Sequence, residues 1–205
     1  QCNEAFNKCV ELLGDLDILV PAHGIQRRHP SNEFPDKDWD DVINTNLNSV
    51  FWLSRAASNI FKAKGYGKII MIASMCSWFG GKTVPAYSAA KGGVMQLCKA
   101  FSNDLLQYGI NVNCVAPGGM VTPGAIFNNT TTAELYGPEW TRYVTEYGAG
   151  VPVAPNPDEI ARMILTLCTP VSDFMYGQTV EVDGGSQFSF QDKPWSYTME
   201  GGLHA

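Results

Sequence analysis

The sequence predicts an α/β fold in which a parallel sheet is covered by helices on both faces. Strand-like and helix-like segments alternate along the chain, which is the pattern of such folds. The run Ile69–Ile72 is continuously apolar, as is typical of a strand buried on both sides. Pro85 and Gly109 suit the first turn and the end of a long helix between two strands.

Four strands and four helices follow in order. Residues 3–13 form the first helix, which ends at Gly14 and leads directly into the first strand. The apolar face of this helix is predicted to consist of Phe6, Cys9, Val10 and Leu13. The predicted strands are Asp17–Val20, Lys68–Ala73, Ile110–Val115 and Gln178–Val182. The remaining helices are predicted near Asp36–Lys64, Pro85–Tyr108 and Pro157–Cys168.

Composition narrows the classes of function. The chain has 205 residues, 17% of them charged, and a net charge of −6, which argues against a nucleic-acid or anionic-membrane surface. No apolar run approaches the roughly 20 residues that span a bilayer. Six cysteines without a Cys-x-x-Cys pair indicate a reducing, cytoplasmic setting. The three histidines lack the spacing of metal ligands, so no metal is expected.

Ser74, Tyr87 and Lys91 form the most informative motif. Tyr87 and Lys91 are four residues apart, so on a helix they lie on one face. An ammonium near a phenol favours the phenolate, which can then exchange a proton with a carbonyl or alcohol oxygen. Ser74 ends a predicted strand and could hydrogen-bond the same oxygen. Tyr-x-x-x-Lys alone occurs by chance, but together with Ser74 it indicates carbonyl/alcohol interconversion.

With these motifs the chain resembles the short-chain dehydrogenase/reductase family, from about residue 16 to residue 185. The family's catalytic asparagine corresponds to Asn46 within Asn44–Leu47, and its nicotinamide-side loop to residues 117–122. The ending Val182-Asp183-Gly184-Gly185 matches the last strand of the family. The resemblance implies a Rossmann-type fold and a catalytic set of Asn46, Ser74, Tyr87 and Lys91. It implies a cofactor-binding set of Gly24, Tyr87, Lys91, Pro117, Gly118, Met120 and Thr122.

The resemblance also implies a role for each residue. A hydride would pass between NAD or NADP and a substrate carbon, while Tyr87 exchanges a proton with the substrate oxygen. Lys91 would lower the pKa of Tyr87 and bind the nicotinamide ribose, Ser74 would orient the reacting oxygen, and Asn46 would hold a relay water. The irregular, aromatic segment Pro123–Pro157 would close over the substrate. The family forms homodimers and homotetramers through its long helices, and we expect one of these assemblies for the full-length protein.

Two departures from the family pattern stand out. The first strand leads into Pro21-Ala22-His23 where the family has Asn-Asn-Ala, and His23 is either a packing residue or a catalytic one. Nothing before Asn46 resembles the glycine-rich turn that holds a dinucleotide pyrophosphate. We therefore expect a fragment: the C-terminal part of a doubly wound sheet, with the first βαβαβ half missing. Its domain would cover residues 1–186, followed by an extension over 187–205, and the first strand would be an exposed edge.

Softer motifs favour a small-molecule substrate of the sugar-acid or polyol type. Gly24–Arg28 and Lys37–Val42 resemble the 2-deoxy-D-gluconate 3-dehydrogenase and gluconate 5-dehydrogenase group. Arg27 or Arg28 could clamp a substrate carboxylate, or both could be solvated surface residues. Two alternatives remain open: a reductase of another substrate such as a 3-oxoacyl thioester, and a non-catalytic chain that acts only by association.

Overall fold

One parallel sheet forms the centre of the molecule. The computed structural model describes residues 2–119 and 156–185, and within them the sheet order is β1-β2-β3-β4. The strands are β1 (Ile18–Leu19), β2 (Gly67–Ile72), β3 (Ile110–Pro117) and β4 (Thr179–Val182). All neighbouring pairs are parallel, as the sequence predicts. The predicted lid before Pro157, apart from its last residues, and the extension over 187–205 lie outside the described residues.

Five α-helices connect or flank these strands. They are α1 (Cys2–Leu13), α2 (Asp36–Ile43), α3 (Ser49–Lys64), α4 (Pro85–Leu105) and α5 (Pro157–Cys168). The predicted end of the helix near Pro85–Tyr108 is confirmed, since a 3-10 turn over Leu106–Tyr108 continues α4 up to Gly109. Gly109 has a φ of 70°, and an added Cβ there would lie 2.6 Å from the Gly65 carbonyl oxygen. Glycine is required at this crossing because the conformation is left-handed and the two backbones touch.

The sheet is covered on both faces, and side chains of β2 alternate between them. Ile69 and Met71 pack in one cluster with residues of α1, α3 and α4. Ile70 packs in a second cluster with Ile160 and Leu167 of α5. Successive strand residues point to opposite faces, so one strand contributes to both cores. This two-sided burial explains the continuously apolar run in the sequence.

The prediction for α1 is correct in extent and wrong in part of its face. Phe6 is buried, and Val10 packs against the main cluster. Cys9 is exposed, and Leu13 is 69% exposed. The helix packs against α3, and Phe6 and Val10 are the residues of the predicted face that join the shared cluster.

The long helix predicted over Asp36–Lys64 is interrupted. A π-helical turn over Asn44–Asn48 separates α2 from α3, and the amide of Ser49 bonds to the Asn44 carbonyl. Side chains in and beside this turn are held by groups outside the helix, notably the backbone of Ile25. Such turns hold one residue more than an α-helical turn and occur often at functional sites.

Lys68 is a buried cation at the amino end of β2. Its side chain is 1% exposed, and its Nζ donates to the Thr169 carbonyl at 2.9 Å and to Ser172 Oγ at 2.9 Å. Nζ also lies 2.7 Å from Asp173 Oδ1. Lys68 therefore ties the sheet to the turn that follows α5. The sequence interpretation of Lys68–Ala73 as an apolar strand does not anticipate this anchor.

None of the helices in residues 2–119 and 156–185 is both long and apolar enough to cross a membrane. Within the same residues, no cluster of His, Cys, Asp and Glu side chains has the size and closeness to hold a metal ion. The six cysteines are free thiols, of which Cys98 and Cys114 are buried together between α4 and β3.

Candidate active site

The candidate site lies at the edge of the sheet where the strands end. β1, β2 and β3 run parallel, so the segments that follow them, which contain Gly24, Ser74 and Gly118, emerge at one edge. This is the edge at which open α/β sheets bind ligands. The helix α4 then brings Tyr87 and Lys91 to the segment that follows β2.

Ser74 is held by a short turn directly after β2. Its Oγ accepts a hydrogen bond from the Cys76 amide at 3.2 Å, and Ser77 Oγ accepts one from the Ser74 amide at 3.3 Å. This reciprocal pair is a capping box. Ser77 Oγ also donates to the Lys91 carbonyl at 2.8 Å. The turn thus fixes Ser74 against α4 and leaves the Ser74 hydroxyl hydrogen for another acceptor.

Tyr87 and Lys91 lie on the same face of α4, as their spacing predicts. The Lys91 Nζ is 5.7 Å from the centroid of the Tyr87 ring. The Lys91 residue is 4% exposed, and its Nζ donates to the Ile72 carbonyl at 2.7 Å. That carbonyl is the one hydrogen-bond acceptor for Lys91 among the residues that the structure describes. Within residues 2–119 and 156–185 the ammonium keeps further donors for a ligand.

The pKa values of both groups are shifted by burial. Burial raises the pKa of Tyr87 to about 12. A hydrogen bond with Ser74 and the positive charge of Arg28 act to lower this pKa, but they are weaker than the effect of burial. Burial also lowers the pKa of Lys91 to about 8. The expected lowering of the Tyr87 pKa by Lys91 is therefore not seen, because removal of water outweighs the neighbouring charges. Both shifts favour uncharged side chains in this state of the site.

Asn46 is completely buried, and its side chain binds the loop after β1. Its Nδ2 donates to the Ile25 carbonyl at 2.7 Å, and its Oδ1 accepts from the Ile25 amide at 2.8 Å. The side-chain amide therefore mimics a strand partner for the loop after β1. A Cβ at Gly24 would lie 3.3 Å from Asn46 Oδ1, so the loop fits closely against this side chain. The expected role of Asn46 in holding a relay water stays a prediction.

Arg27 and Arg28 are adjacent in sequence and face different groups. The Arg27 side chain is 42% exposed, and its Nε lies 3.8 Å from Asp38 Oδ1. Arg28 Nη1 donates to the Lys82 carbonyl at 3.2 Å and to Thr83 Oγ1 at 3.3 Å. The bonds to Lys82 and Thr83 hold Arg28 near the start of α4, the helix that carries Tyr87. The positive charge of Arg28 acts to lower the pKa values of Tyr87 and Cys76.

The nicotinamide-side loop is described only at its start. Pro117 is the last residue of β3 and is buried, and the Gly118 amide donates to the Val182 carbonyl at 3.1 Å. A Cβ at Gly118 would lie 2.6 Å from the Asp183 Cα. Glycine at this position therefore permits close packing against the end of β4. This structural role is additional to the predicted role of Gly118 in lining the nicotinamide pocket. Met120 and Thr122 lie outside the described residues.

His23 lies on the loop after β1 and is exposed. Its Nε2 makes a short hydrogen-bond contact with Ser49 Oγ at the start of α3. Burial of part of the ring, followed by the positive charge of Lys91, lowers the pKa of His23.

Sequence reasoning misses three residues of this site. Cys76 counts there only as one of six scattered cysteines, yet its thiol lies beside Ser74, and burial raises its pKa. Ser77 joins Ser74 to α4, and the Ser-x-x-Ser spacing of a capping box could have indicated it. Thr83 has a φ of 64° and accepts a hydrogen bond on its carbonyl from the His29 amide at 3.1 Å, so it links the Arg28 loop to the start of α4. No sequence signal marks this residue.

Comparisons with known proteins agree with this arrangement of fold and side chains. Residues 1–133 match the family model described as short chain dehydrogenase. The chain is 41% identical to the 2-dehydro-3-deoxy-D-gluconate 5-dehydrogenase of Escherichia coli (strain K12), over 88% of this chain and 69% of that protein. It is 34% identical to the gluconate 5-dehydrogenase of Gluconobacter oxydans (strain 621H), over 84% of this chain and 65% of that protein.

A solved structure agrees as well. The gluconate 5-dehydrogenase from Burkholderia cenocepacia J2315, in complex with NADP and tartrate, matches with a TM-score of 0.79 and 34% identity, over 92% of this chain and 71% of that one. An open parallel sheet with a serine, tyrosine and lysine at its carboxyl edge defines the class of protein as an α/β oxidoreductase. The chain belongs to the short chain dehydrogenase family. The predicted resemblance to the family and to its sugar-acid group is confirmed.

Proposed function

We propose that this chain carries the active site of a dehydrogenase that interconverts a secondary alcohol and a ketone on a sugar acid, with NAD or NADP as the hydride carrier. The observation that carries the proposal is the convergence of Ser74, Tyr87 and Lys91 at the carboxyl edge of the sheet. The names of the relatives at 34–41% identity support the sugar-acid substrate.

The residues of the site fit the nicotinamide end of a dinucleotide. The buried Lys91 ammonium has donors beyond its bond to Ile72, and they suit ribose hydroxyls. Gly24 is exposed on the loop after β1, where a ligand can approach the backbone. When bound, the nicotinamide supplies or accepts the hydride. Residues 2–119 and 156–185 include no glycine-rich turn between a strand and a helix, so the fit concerns the nicotinamide end alone.

The chain's own residues supply the proton transfer. Ser74 donates its hydroxyl hydrogen to the reacting oxygen and orients it. In the oxidation direction Tyr87 accepts the proton of the substrate hydroxyl, and in the reduction direction it returns that proton. The raised pKa of Tyr87 opposes phenolate formation, so the positive charges of Lys91 and Arg28 must offset burial when substrate and cofactor are bound.

Arg28 supplies the contact for the carboxylate of a sugar acid. It is the arginine whose charge reaches Tyr87, and the loop around Lys82 and Thr83 holds it in place. Arg27 is directed to Asp38. A guanidinium at this position can form two parallel hydrogen bonds with a carboxylate. These contacts favour Arg28 over Arg27 for the carboxylate, a choice that the sequence leaves open.

The first experiment measures oxidation of a panel of sugar acids with NAD and NADP, by absorbance of the reduced nicotinamide. We expect activity that Tyr87→Phe lowers by about 10²- to 10⁴-fold, because that substitution removes the general base. Tyr66→Phe is the chemically matched control, because Tyr66 is exposed between α3 and β2, and it should leave the rate unchanged. Equal activity of Tyr87→Phe and the unsubstituted chain would contradict the proposal.

The second experiment compares Arg28→Gln with Arg27→Gln. Both remove one positive charge from adjacent positions. We expect Arg28→Gln to lower kcat/KM for a sugar acid by about 10- to 100-fold, as for a lost charged hydrogen bond, and to affect an uncharged polyol much less. Arg27→Gln should change either substrate little. Equal effects of the two substitutions would contradict the assignment, and thioester reduction that is insensitive to Arg28→Gln would favour the 3-oxoacyl alternative.

Several expectations remain predictions. They are the roles of Pro117, Gly118, Met120 and Thr122 toward the cofactor, the domain over 1–186 with an extension over 187–205, a first half of the sheet that precedes this chain, and a cytoplasmic homodimer or homotetramer. A catalytically inactive chain that acts by association is the alternative that the activity panel tests.

A further inference from the structure

Thr83 has a backbone conformation that its residue type rarely adopts. Its φ is 64°, and within residues 2–119 and 156–185 it is the one residue other than glycine with a positive φ. A β-branched residue is strained in this left-handed region, so the surrounding contacts must hold Thr83 there. The residue is 5% exposed, which is consistent with such contacts. Strained residues of this kind cluster at active sites and ligand-binding loops.

The strained conformation lets Thr83 bind the loop after β1 through both its backbone and its side chain. The Thr83 carbonyl accepts a hydrogen bond from the His29 amide at 3.1 Å. Thr83 Oγ1 donates its one hydrogen to the Lys82 carbonyl, so toward Arg28 it acts as an acceptor. Arg28 Nη1 donates to Thr83 Oγ1 at 3.3 Å and to the Lys82 carbonyl at 3.2 Å. Thr83 therefore holds two successive residues of the loop.

The turn that carries Thr83 is joined directly to α4. The Gly81 amide donates to Ser88 Oγ at 3.1 Å, and the Ser88 amide donates to the Val84 carbonyl at 3.0 Å. Both bonds fix the turn to the first residues of the helix. Tyr87 is the third residue of α4 and follows Thr83 by four positions. Thr83 therefore connects the loop after β1 to the helix that carries the Tyr87 hydroxyl.

The other side of the same loop is held by α2. Asp38 Oδ2 lies 2.7 Å from His29 Nε2, and Asp38 Oδ1 lies 3.8 Å from Arg27 Nε. The His29 ring also meets the Phe34 ring edge-on, with the centroids 5.3 Å apart. The two neighbours of Arg28 in the sequence are thus bound by one carboxylate. Arg28 is therefore clamped between α2 and the start of α4.

We propose that Thr83 is a positioning residue that determines which hydroxyl of a sugar acid is oxidised. The inference rests on the proposed function and deepens it, since Arg28 is the contact for the substrate carboxylate there. Because Arg28 is bound to the turn that begins α4, its guanidinium and the Tyr87 hydroxyl keep a constant separation. A carboxylate bound to Arg28 then presents to Tyr87 only the hydroxyl that lies a set number of bonds away. Thr83 acts on regioselectivity in this way without touching the reacting atoms.

The kinetic test separates the hydroxyl of Thr83 from its methyl group. Thr83→Val keeps the branched shape and removes the acceptor for Arg28, whereas Thr83→Ser keeps the hydroxyl. With D-gluconate we expect Thr83→Val to lower kcat/KM by about tenfold, as for a lost hydrogen bond to a charged group, and Thr83→Ser to lower it by less than about twofold. With D-glucitol, the uncharged alcohol of the same length, both variants should match the unsubstituted chain.

The position of oxidation is read from the NMR spectrum of the keto acid. The unsubstituted chain should oxidise D-gluconate at one carbon, and Thr83→Val should give a mixture of positions. Thr166→Val is the matched control, because Thr166 Oγ1 also donates to a carbonyl, that of Arg162, but on α5. This control should change neither rate nor product. A larger loss in Thr83→Ser than in Thr83→Val, or equal losses with D-gluconate and D-glucitol, would show a merely structural role and overturn the inference.

A second measurement needs no turnover. Phenylglyoxal reacts with guanidinium groups, and mass spectrometry of peptides follows its reaction at Arg28 and at Arg162, which pairs with Glu159 on α5. D-gluconate should protect Arg28 but not Arg162, and Thr83→Val should need about tenfold more D-gluconate for the same protection. Absence of protection at Arg28 in the unsubstituted chain would overturn the inference. Protection at Arg28 without oxidation of any sugar acid would instead overturn the proposed function.

Discussion

Two lysines are buried at opposite ends of the same strand, and they are held in opposite ways. Lys68 at the amino end of β2 is 1% exposed and has three oxygen partners, one of them the carboxylate of Asp173. Lys91 at the carboxyl end of β2 is 4% exposed, and its one acceptor in the described residues is the Ile72 carbonyl. The first ammonium is fully paired, and the second is left with donors to use.

The difference shows how one sheet separates stability from chemistry. Burial of a cation is costly unless hydrogen bonds and an opposite charge compensate for the lost water. Lys68 receives that compensation and connects β2 to the turn after α5. Lys91 receives little of it, and its pKa falls to about 8. A group held in this way is suited to bind a ligand or to pass a proton, since either event relieves the cost of its burial.

The largest difference in activity should appear when each of the two lysines is replaced singly by methionine. We expect Lys91→Met to lower the turnover of a sugar acid by about 10²- to 10⁴-fold with no loss of thermal stability, because its cation is under-compensated. Lys68→Met should leave kcat of the folded protein unchanged. Steady-state kinetics and thermal unfolding of both variants test this. If both variants lost activity, or if only Lys91→Met lost stability, the two lysines would not differ in the proposed way.

The second effect concerns pH. The pKa of Lys91 is about 8 in the folded chain and 10.5 in its ordinary state, so between these values the unfolded chain binds a proton that the folded chain lacks. Stability of the unsubstituted chain should therefore rise relative to Lys91→Met as the pH rises through this window, by about 3 kcal/mol at most. Urea unfolding at about pH 7.5 and at about pH 10 measures the difference. A constant difference would contradict the lowered pKa.

The smallest effect separates the partners of Lys68. Lys68→Met should lower the free energy of unfolding by about 2 kcal/mol, because the Thr169 carbonyl and Ser172 hydroxyl lose a buried partner. Asp173→Asn should cost about 1 kcal/mol or less, since the Asp173 side chain is 60% exposed. Lys64→Met is the matched control: Lys64 also faces two acidic residues, Asp15 and Asp17, but at the surface. If Lys68→Met lowered the free energy of unfolding no more than Lys64→Met, burial of Lys68 would add nothing to stability.

The sheet and most helix limits could be predicted because they depend on patterns within short segments. Alternation of segments gave the parallel order, and Pro85 and Gly109 marked the extent of the third predicted helix. The Ser74, Tyr87 and Lys91 group could be predicted because a helical spacing and a strand end fix the relative positions of the three residues.

The remaining features depend on contacts between distant segments. Arg27 and Arg28 have the same charge and the same loop, and only the positions of Asp38 and Thr83 separate them. The burial of Lys68 depends on Asp173, which is 105 residues away. The direction of the Tyr87 pKa shift depends on how much water the folded site excludes, which the spacing of charges does not reveal.

The π-helical turn makes the length of the chain a determinant of the site. Each residue of a helix turns its successors by about 100° around the axis, so deleting one residue from Asn44–Asn48 would rotate α3 against α2 by that amount. Asn46 would then lose Ile25, or Ser49 would lose His23, although neither residue had been replaced. A deletion of one residue in this turn is therefore expected to damage the site more than most substitutions there. Insertions and deletions at this point should be informative when homologous chains are aligned.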